Sequence, residues 1–248
     1  MPDRIKIVCV GCGHIVEQWL AYTLSRPDLD LVGLVDVRRE NAERWRDRFQ
    51  LQHVPVGEDL DTMLNVVRPD LVFDCTVPAA HAAVTMTALK RGCHVFGEKP
   101  MADSIENARR MVETARKTNR IYAVMQNRRF TSGIRSFARL LKDRTIGALT
   151  TLHSSFFIGA HFWTFQNRMR HPLLLDMAIH TFDQARFLSD AETHARLRPR
   201  LETERLLVRR RSVRRLLLPD VRQHRLHLSR QLVRGGIEHL LGRRLACL

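Results

Sequence analysis

A short apolar strand that runs straight into two closely spaced glycines leaves a chain few ways to fold. Ile5-Lys6-Ile7-Val8-Cys9-Val10 is rich in β-branched residues, the pattern of a strand covered on both faces, and Gly11-Cys12-Gly13 follows at once. From His14 to Ser25 the apolar residues Ile15, Trp19, Leu20 and Leu24 fall at helical spacing, and Leu29 to Val35 is a second apolar strand that ends on Asp36. Gly11 permits a tight turn, and Gly13 lets backbone N–H groups approach a pyrophosphate lying at the helix N-terminus. His14 and Ile15, which open the helix, belong with this phosphate-facing turn. Asp36 is placed to accept hydrogen bonds from a ribose diol. Val16 stands where a third glycine or an alanine is usual, so helix and strand are expected to pack slightly farther apart. Two glycines after a strand also occur in α/β proteins that bind no nucleotide. Dinucleotide binding rests on the strand, the helix and the terminal acid taken together.

The same alternation continues. Arg39 to Phe49 reads as a helix, Val54-Pro55-Val56 as a short strand, Leu60 to Val67 as a helix and Leu71 to Thr76 as a strand. A helix follows to Lys90, with Gly92 as its C′ residue, then a strand at His94 to Gly97, a helix at Ser104 to Thr118 capped by Ser104, and a strand at Tyr122 to Met125. Strands alternating with helices at this spacing predict an α/β fold with a Rossmann-type doubly wound parallel sheet, ligands lying outside the carboxyl ends of the strands. This dinucleotide-binding domain is expected over 1–125. Beyond it, 126–192 reads as the start of an α+β substrate domain that is incomplete. It holds a helix through Leu141, a longer antiparallel-type strand at Ala148 to Ile158, and a helix starting at Pro172. On that last helix Asp176, His180 and Asp183 recur at spacings that put them on one face. Arg38 and Arg39, just past Asp36, are where an arginine would meet a 2′-phosphate; the acid itself favours NAD, with NADP possible.

Four features agree: the Gly11/Gly13 turn with Asp36, Thr76-x-Pro78-x-x-His81, Glu98-Lys99-Pro100, and Asp176-x-x-x-His180. Together they resemble the glucose–fructose oxidoreductase and inositol dehydrogenase family of NAD(P)-dependent enzymes, over roughly residues 4–190. The resemblance implies that Gly11, Gly13 and Asp36 hold the dinucleotide, that Thr76, Pro78 and His81 line its nicotinamide side together with Glu98 and Lys99, and that Lys99, Asp176 and His180 are the catalytic trio. It further implies a cis Lys99–Pro100 bond, a small sugar or polyol-like substrate, and full-length relatives that are homo-oligomeric. Ala178 departs from the family's frequent glycine.

The chemistry supports the trio on its own terms. Oxidising a secondary alcohol needs a base for the hydroxyl proton while hydride leaves for the nicotinamide ring, and histidine titrates near neutrality. Lys99, on the loop after a strand, is suited to stabilise negative charge on the same oxygen, and Asp176 to bind a hydroxyl or orient the imidazole. Lys99 as a solvated loop lysine, Asp176 and His180 as an ordinary helix pair or as metal ligands with His171, and His81 as a cap are the competing readings. No third ligand sits at compelling spacing, so no metal is expected.

Net charge is +15, and its distribution matters more than its size. Residues 193–248 hold 15 arginines, no lysine and four acids, an excess of +11, whereas the first 192 residues carry an ordinary +4. A basic arm for nucleic acid, or a nucleotide sensor, is the rival reading, but the tail has no Phe, Tyr or Trp to stack on bases. Instead, the break after Asp190 to Arg and Leu is what shifted GC-rich codons give. Codons permitted by this sequence, read one base later, can spell K-P-S-G-S-W-Y-D-G-D from Glu202 to Arg211. From His227 to Leu245 they can spell T-C-R-G-N-W-C-A-E-G-L-N-T-S-W-G-D-G-W, and both strings have the aromatic, glycine-turn character of a sheet domain. Residues 193–248 are thus expected to be a frameshifted translation and the enzyme truncated. Five cysteines without paired spacing point to a reducing compartment. With no signal peptide at the start and no apolar run of membrane-spanning length, a cytoplasmic protein that binds no membrane is expected.

Overall fold

The computed structural model describes residues 4–156, 165–169 and 171–190. Six strands form one sheet: β1 (Ile5–Val10), β2 (Leu29–Val35), β3 (Val56–Gly57), β4 (Leu71–Asp74), β5 (His94–Gly97) and β6 (Tyr122–Val124). Their order is β3-β2-β1-β4-β5-β6 and every ladder is parallel. Helices α1 (Val16–Leu24), α2 (Arg39–Arg48), α3 (Leu60–Val67), α4 (Pro78–Lys90) and α5 (Ile105–Thr118) make the crossovers. The chain steps outward from β1 to β3, then returns to β4 on the other side of β1. The order therefore reverses between β1 and β4, which opens a crevice at their carboxyl ends.

The strands are apolar throughout because both faces are covered. Ile7 and Cys9 of β1 face one cluster, with Trp19, Leu20, Trp45 and Phe73; Val8 and Val10 face the other, with Met63, Leu64, Leu89 and Val95. Val16, the departure from the usual small residue, is fully buried in the first cluster. Buried polar contacts cross that cluster, among them one to the loop after β5. Trp19 Nε1 donates to Glu98 Oε1 at 2.9 Å, and burial raises the Glu98 carboxyl above its ordinary pKa. Predicted and observed elements differ mainly at their ends. Helix α1 begins at Val16 rather than His14, and β3 is shorter than Val54-Pro55-Val56 suggested because Pro55 has no N–H to give the ladder. Ser104 caps α5 as expected, accepting the Asn107 N–H at 3.2 Å.

After β6 come a 3-10 turn (Asn127–Phe130), helix α6 (Ser132–Lys142), a second 3-10 turn (Phe165–Arg168) and helix α7 (Ile179–Ser189). The strand expected at Ala148 to Ile158 is not formed: residues 148–156 carry no strand and are exposed, and the last two expected residues lie outside the described ones. A strand must give its N–H and C=O groups to a neighbour, and no described strand lies beside this segment. The Pro172 helix also differs. Leu173–Met177 is a π-turn, closed by a 2.7 Å bond from the Ala178 N–H to the Leu173 carbonyl, before α7 continues. Asp183 on α7 grips Arg129 through both carboxylate oxygens, which fixes α7 against the first 3-10 turn. Residues 193–248, and with them the expected frameshifted tail, lie outside the described residues. Among the described residues no helix is long and apolar enough to cross a membrane.

Removing the indole N–H by Trp19→Phe leaves a buried carboxylate oxygen without its donor. The expected cost is about 1–3 kcal/mol beyond the lost ring volume, read as a lower urea midpoint at unchanged slope.

Candidate active site

The crevice between β1 and β4 is a cleft of about 430 Å³, lined among others by Gly11, Gly13, Asp36, Arg38, Thr76 and Val77. Gly11 has φ +86°, and a Cβ there would lie 2.6 Å from the Thr76 nitrogen and 2.7 Å from the Cys75 carbonyl carbon. The backbone of the β1 turn is therefore pressed against the turn after β4. Gly13 differs: nothing lies within 4 Å of its would-be Cβ, so the protein itself does not require glycine there. Helix α1 starts just behind it with no side-chain cap, so its first N–H groups have no side-chain acceptor at the cap position. A helix start without a side-chain cap, beside a glycine with room over it, suits a phosphate.

Asp36 is held as the ribose end of such a site requires. One carboxylate oxygen accepts the Cys12 N–H at 2.7 Å; the other accepts the Arg38 N–H and the Asn41 side-chain amide, both at 2.9 Å. A carboxylate offers about four acceptor positions, so these three donors leave one over, on a side chain that lines the cleft. Arg39 pairs with Glu43 along α2, whereas Arg38 lines the cleft. Asn41 and Glu58 also border the cleft and escaped the sequence reading, since neither belongs to a glycine-turn signature.

Other expected cofactor residues are placed differently. His14 is exposed and Ile15 half-buried in the turn before α1. Pro78 opens α4 and lines a second cleft of about 390 Å³ with Pro100, Phe165 and Leu175. His81 is buried behind the Thr76 turn, and Glu98, directly after β5, is buried against Trp19.

The expected trio comes together. Lys99 follows β5 and its Nζ donates to the Asp176 carboxylate at 2.8 Å and to the Asp176 main-chain oxygen at 2.9 Å. The π-turn presents that carbonyl, freed from ordinary helical pairing, alongside the carboxylate. Asp176 and His180 are 1 % and 5 % exposed. His180 Nδ1 is buried with no hydrogen-bond partner among the described residues, and the imidazole pKa is lowered to about 3, first by burial and then by the Lys99 and Arg128 cations. Since the ring stays neutral in the folded chain but not in the unfolded one, it costs stability as pH falls from about 6.5 toward 3 and nothing above that window. Arg128, half-buried over the Phe156 ring at 5.6 Å, and Gln166, 3.4 Å from Asp176, also belong to this group. They sit outside any recognisable spacing, in separate 3-10 turns. The Lys99–Pro100 bond is cis. Among the described residues no set of three His, Cys, Asp or Glu side chains could hold a metal. Burial raises the Cys12 thiol to about 12, which removes it as a nucleophile beside the cleft.

Residues 5–126 match a family described as an oxidoreductase family with an NAD-binding Rossmann fold. The D-glucoside 3-dehydrogenase of Escherichia coli K12 is 30 % identical over 190 residues, covering 74 % of this chain and 54 % of that protein. The myo-inositol 2-dehydrogenase of Thermotoga maritima is 26 % identical over 188 residues, covering 76 % and 56 %. Among solved structures, a dehydrogenase from Chromobacterium violaceum superposes with a TM-score of 0.64 at 26 % identity, covering 77 % of this chain and 56 % of that one. The chain thus spans about half the length of the curated relatives it matches.

The two glycines separate a structural from a ligand-facing role. Gly11→Ala is expected to cost about 2 kcal/mol or more of stability, because both the left-handed φ and the Thr76 contact are violated. Gly13→Ala is expected to stay within about 1 kcal/mol in urea unfolding, yet to weaken dinucleotide binding about tenfold in a fluorescence titration.

Proposed function

We propose that this chain, whose residues 5–126 belong to that oxidoreductase family, is an NAD(P)-dependent dehydrogenase acting on a CH–OH group of a sugar, polyol or similar alcohol. One observation carries the reading: Lys99 Nζ, on the loop that follows β5, is anchored on Asp176 beside a neutral His180 whose Nδ1 has no partner among the described residues. The nicotinamide, when bound, accepts the hydride. Gly11, Gly13 and the α1 N-terminus would hold its pyrophosphate, and Asp36 its adenosine ribose. His180 is the group that takes the hydroxyl proton, since its ring is neutral and its Nδ1 has no partner among the described residues. Lys99 donates to the same oxygen as negative charge develops there. The cations that depress His180 also favour the alkoxide, so base and hydroxyl are shifted in the same direction. Asp176 fixes the ammonium of Lys99 and offers its second oxygen to a substrate hydroxyl or to Gln166.

The division into a dinucleotide domain over 1–125 and the start of a substrate domain over 126–192 goes with this reading. So does the shifted reading of 193–248. The composition break supports it, as do Leu173, Leu174, Leu175 and Phe182, all 43 % exposed or more on the segment that carries Asp176 and His180. The chain as written would bind dinucleotide weakly and turn over little.

Calorimetric titration with NAD and NADP, and a screen of sugars and polyols, test the enzyme; the same assays are run on a chain carrying the shifted reading of the tail. Lys99→Ala and His180→Ala are expected to leave dinucleotide affinity within about threefold while cutting turnover about a hundredfold or more. Turnover that survives both substitutions would sink the assignment. For the tail, peptides unique to 193–248 in protein from the native source, with an uninterrupted gene, would end the frameshift reading; peptides of the shifted strings are the expected result.

A further inference from the structure

His81 lies on the first turn of α4 with 2 % of its surface exposed, and each of its ring nitrogens faces a main-chain oxygen. Nδ1 is 2.9 Å from the Pro100 carbonyl and Nε2 is 3.0 Å from the Thr76 carbonyl. Those oxygens belong to two different loops: Thr76 lines the cofactor cleft after β4, and Pro100 directly follows Lys99 after β5. The ladder between these strands ends at the Asp74–Gly97 pair, with one further bond from the Glu98 N–H to the Asp74 carbonyl at 2.8 Å. Past that point the strands diverge into their loops, and the imidazole is the cross-link between them. Thr76 is itself fixed from below, its hydroxyl donating to Asp74 at 2.6 Å while Thr85 donates to the other oxygen of the same carboxylate at 2.9 Å. A ring protonated on both nitrogens donates to both carbonyls, and a neutral ring to one. The buried carboxylates of Asp74 and Glu98 are the negative charges that interact with it.

We propose that His81 is a positioning residue, a two-point clamp that holds the Lys99 loop in register with the cofactor-lining Thr76 turn. It touches neither cleft nor trio and acts through the two carbonyls. The inference rests on the reading of Lys99 as the group that meets the substrate oxygen, but its geometry is tested without turnover. The amide nitrogen of asparagine falls near the place of Nδ1, and that of glutamine near Nε2. His81→Asn thus keeps a donor for the Pro100 carbonyl and loses the Thr76 bond, and His81→Gln does the reverse.

Two measurements on the full chain separate them: acetylation of Lys99 by acetic anhydride, followed by mass spectrometry, and amide exchange over residues 76–80 and 98–103. His81→Gln is expected to speed Lys99 acetylation about threefold to tenfold, the effect of losing one hydrogen bond of ordinary net worth, and to leave 76–80 protected. His81→Asn is expected to speed exchange over 76–80 and leave Lys99 as slow as in the unaltered chain. Equal effects of the two variants would mean that the ring merely fills space, and unchanged Lys99 reactivity in His81→Gln would overturn the clamp. Should either variant lose protection throughout β1 and β2, isotopically labelled histidine nitrogens in the unaltered chain decide instead. A slowly exchanging ring proton coupled through its hydrogen bond to the Pro100 or Thr76 carbonyl carbon is expected, and a buried histidine ring with no protected proton overturns the clamp. Active Lys99→Ala would count against the enzymatic reading alone and leave this pattern intact.

Discussion

The contact of the β1 turn against the turn after β4 is the constraint on which the rest of the molecule depends. At Gly11 the two backbones approach so closely that no side chain fits between them, and the Cys75 N–H reaches the Val10 carbonyl at 2.8 Å. That closeness puts the topological reversal of the sheet directly beneath Gly13 and Asp36. It also sets where β5 must run, and so where Lys99 emerges. An α/β sheet that packed these turns more loosely would have the same strand order and no cradle.

The sheet was legible in the sequence because a parallel strand covered on both faces needs an unbroken apolar run, and a crossover helix needs its own spacing and caps. Ser104 and the short Leu60–Val67 helix are cases where local chemistry alone decides the outcome. Element ends were less legible. Whether His14 or Val16 begins α1 depends on how the turn lies against β4, which no local pattern encodes. The failure at Ala148 to Ile158 has a different cause. Strand character there is real as a pattern, yet a strand exists only with a neighbour to pair with, and pairing is not a property of the segment.

For the site, the motif residues were legible as types at spacings, and their partners were not. Asp36 was visible as a terminal acid, but its orientation by Cys12, Arg38 and Asn41 comes from three elements folding together. Arg128 and Gln166 carry no signal in the chain because they reach Asp176 and His180 from separate turns. Asp183 shows the opposite limit. Its spacing from His180 put it on the same helix face, and it is buried there, yet its carboxylate holds Arg129 and anchors α7.

Buried polarity in this protein is concentrated at one end of the sheet. Asp74, His81, Thr85, Glu98, Asp176, His180 and Asp183 are all buried, and all lie at or beyond the carboxyl ends of the strands. Each carboxylate among them accepts from a named donor: Thr76 and Thr85 for Asp74, Trp19 for Glu98, Lys99 for Asp176, Arg129 for Asp183. Desolvated charges are tolerable only when paired in this way, and pairing removes the freedom of the side chains involved. His180 Nδ1 is the exception, a buried nitrogen with no partner among the described residues, placed beside the ammonium that Asp176 holds still. Gln126 Oε1 and Asn127 Oδ1, in the segment that follows β6, share that lack of a partner among the described residues, so the buried hydrogen-bonding capacity left unmet lies beyond the strand ends while the buried carboxylates are satisfied.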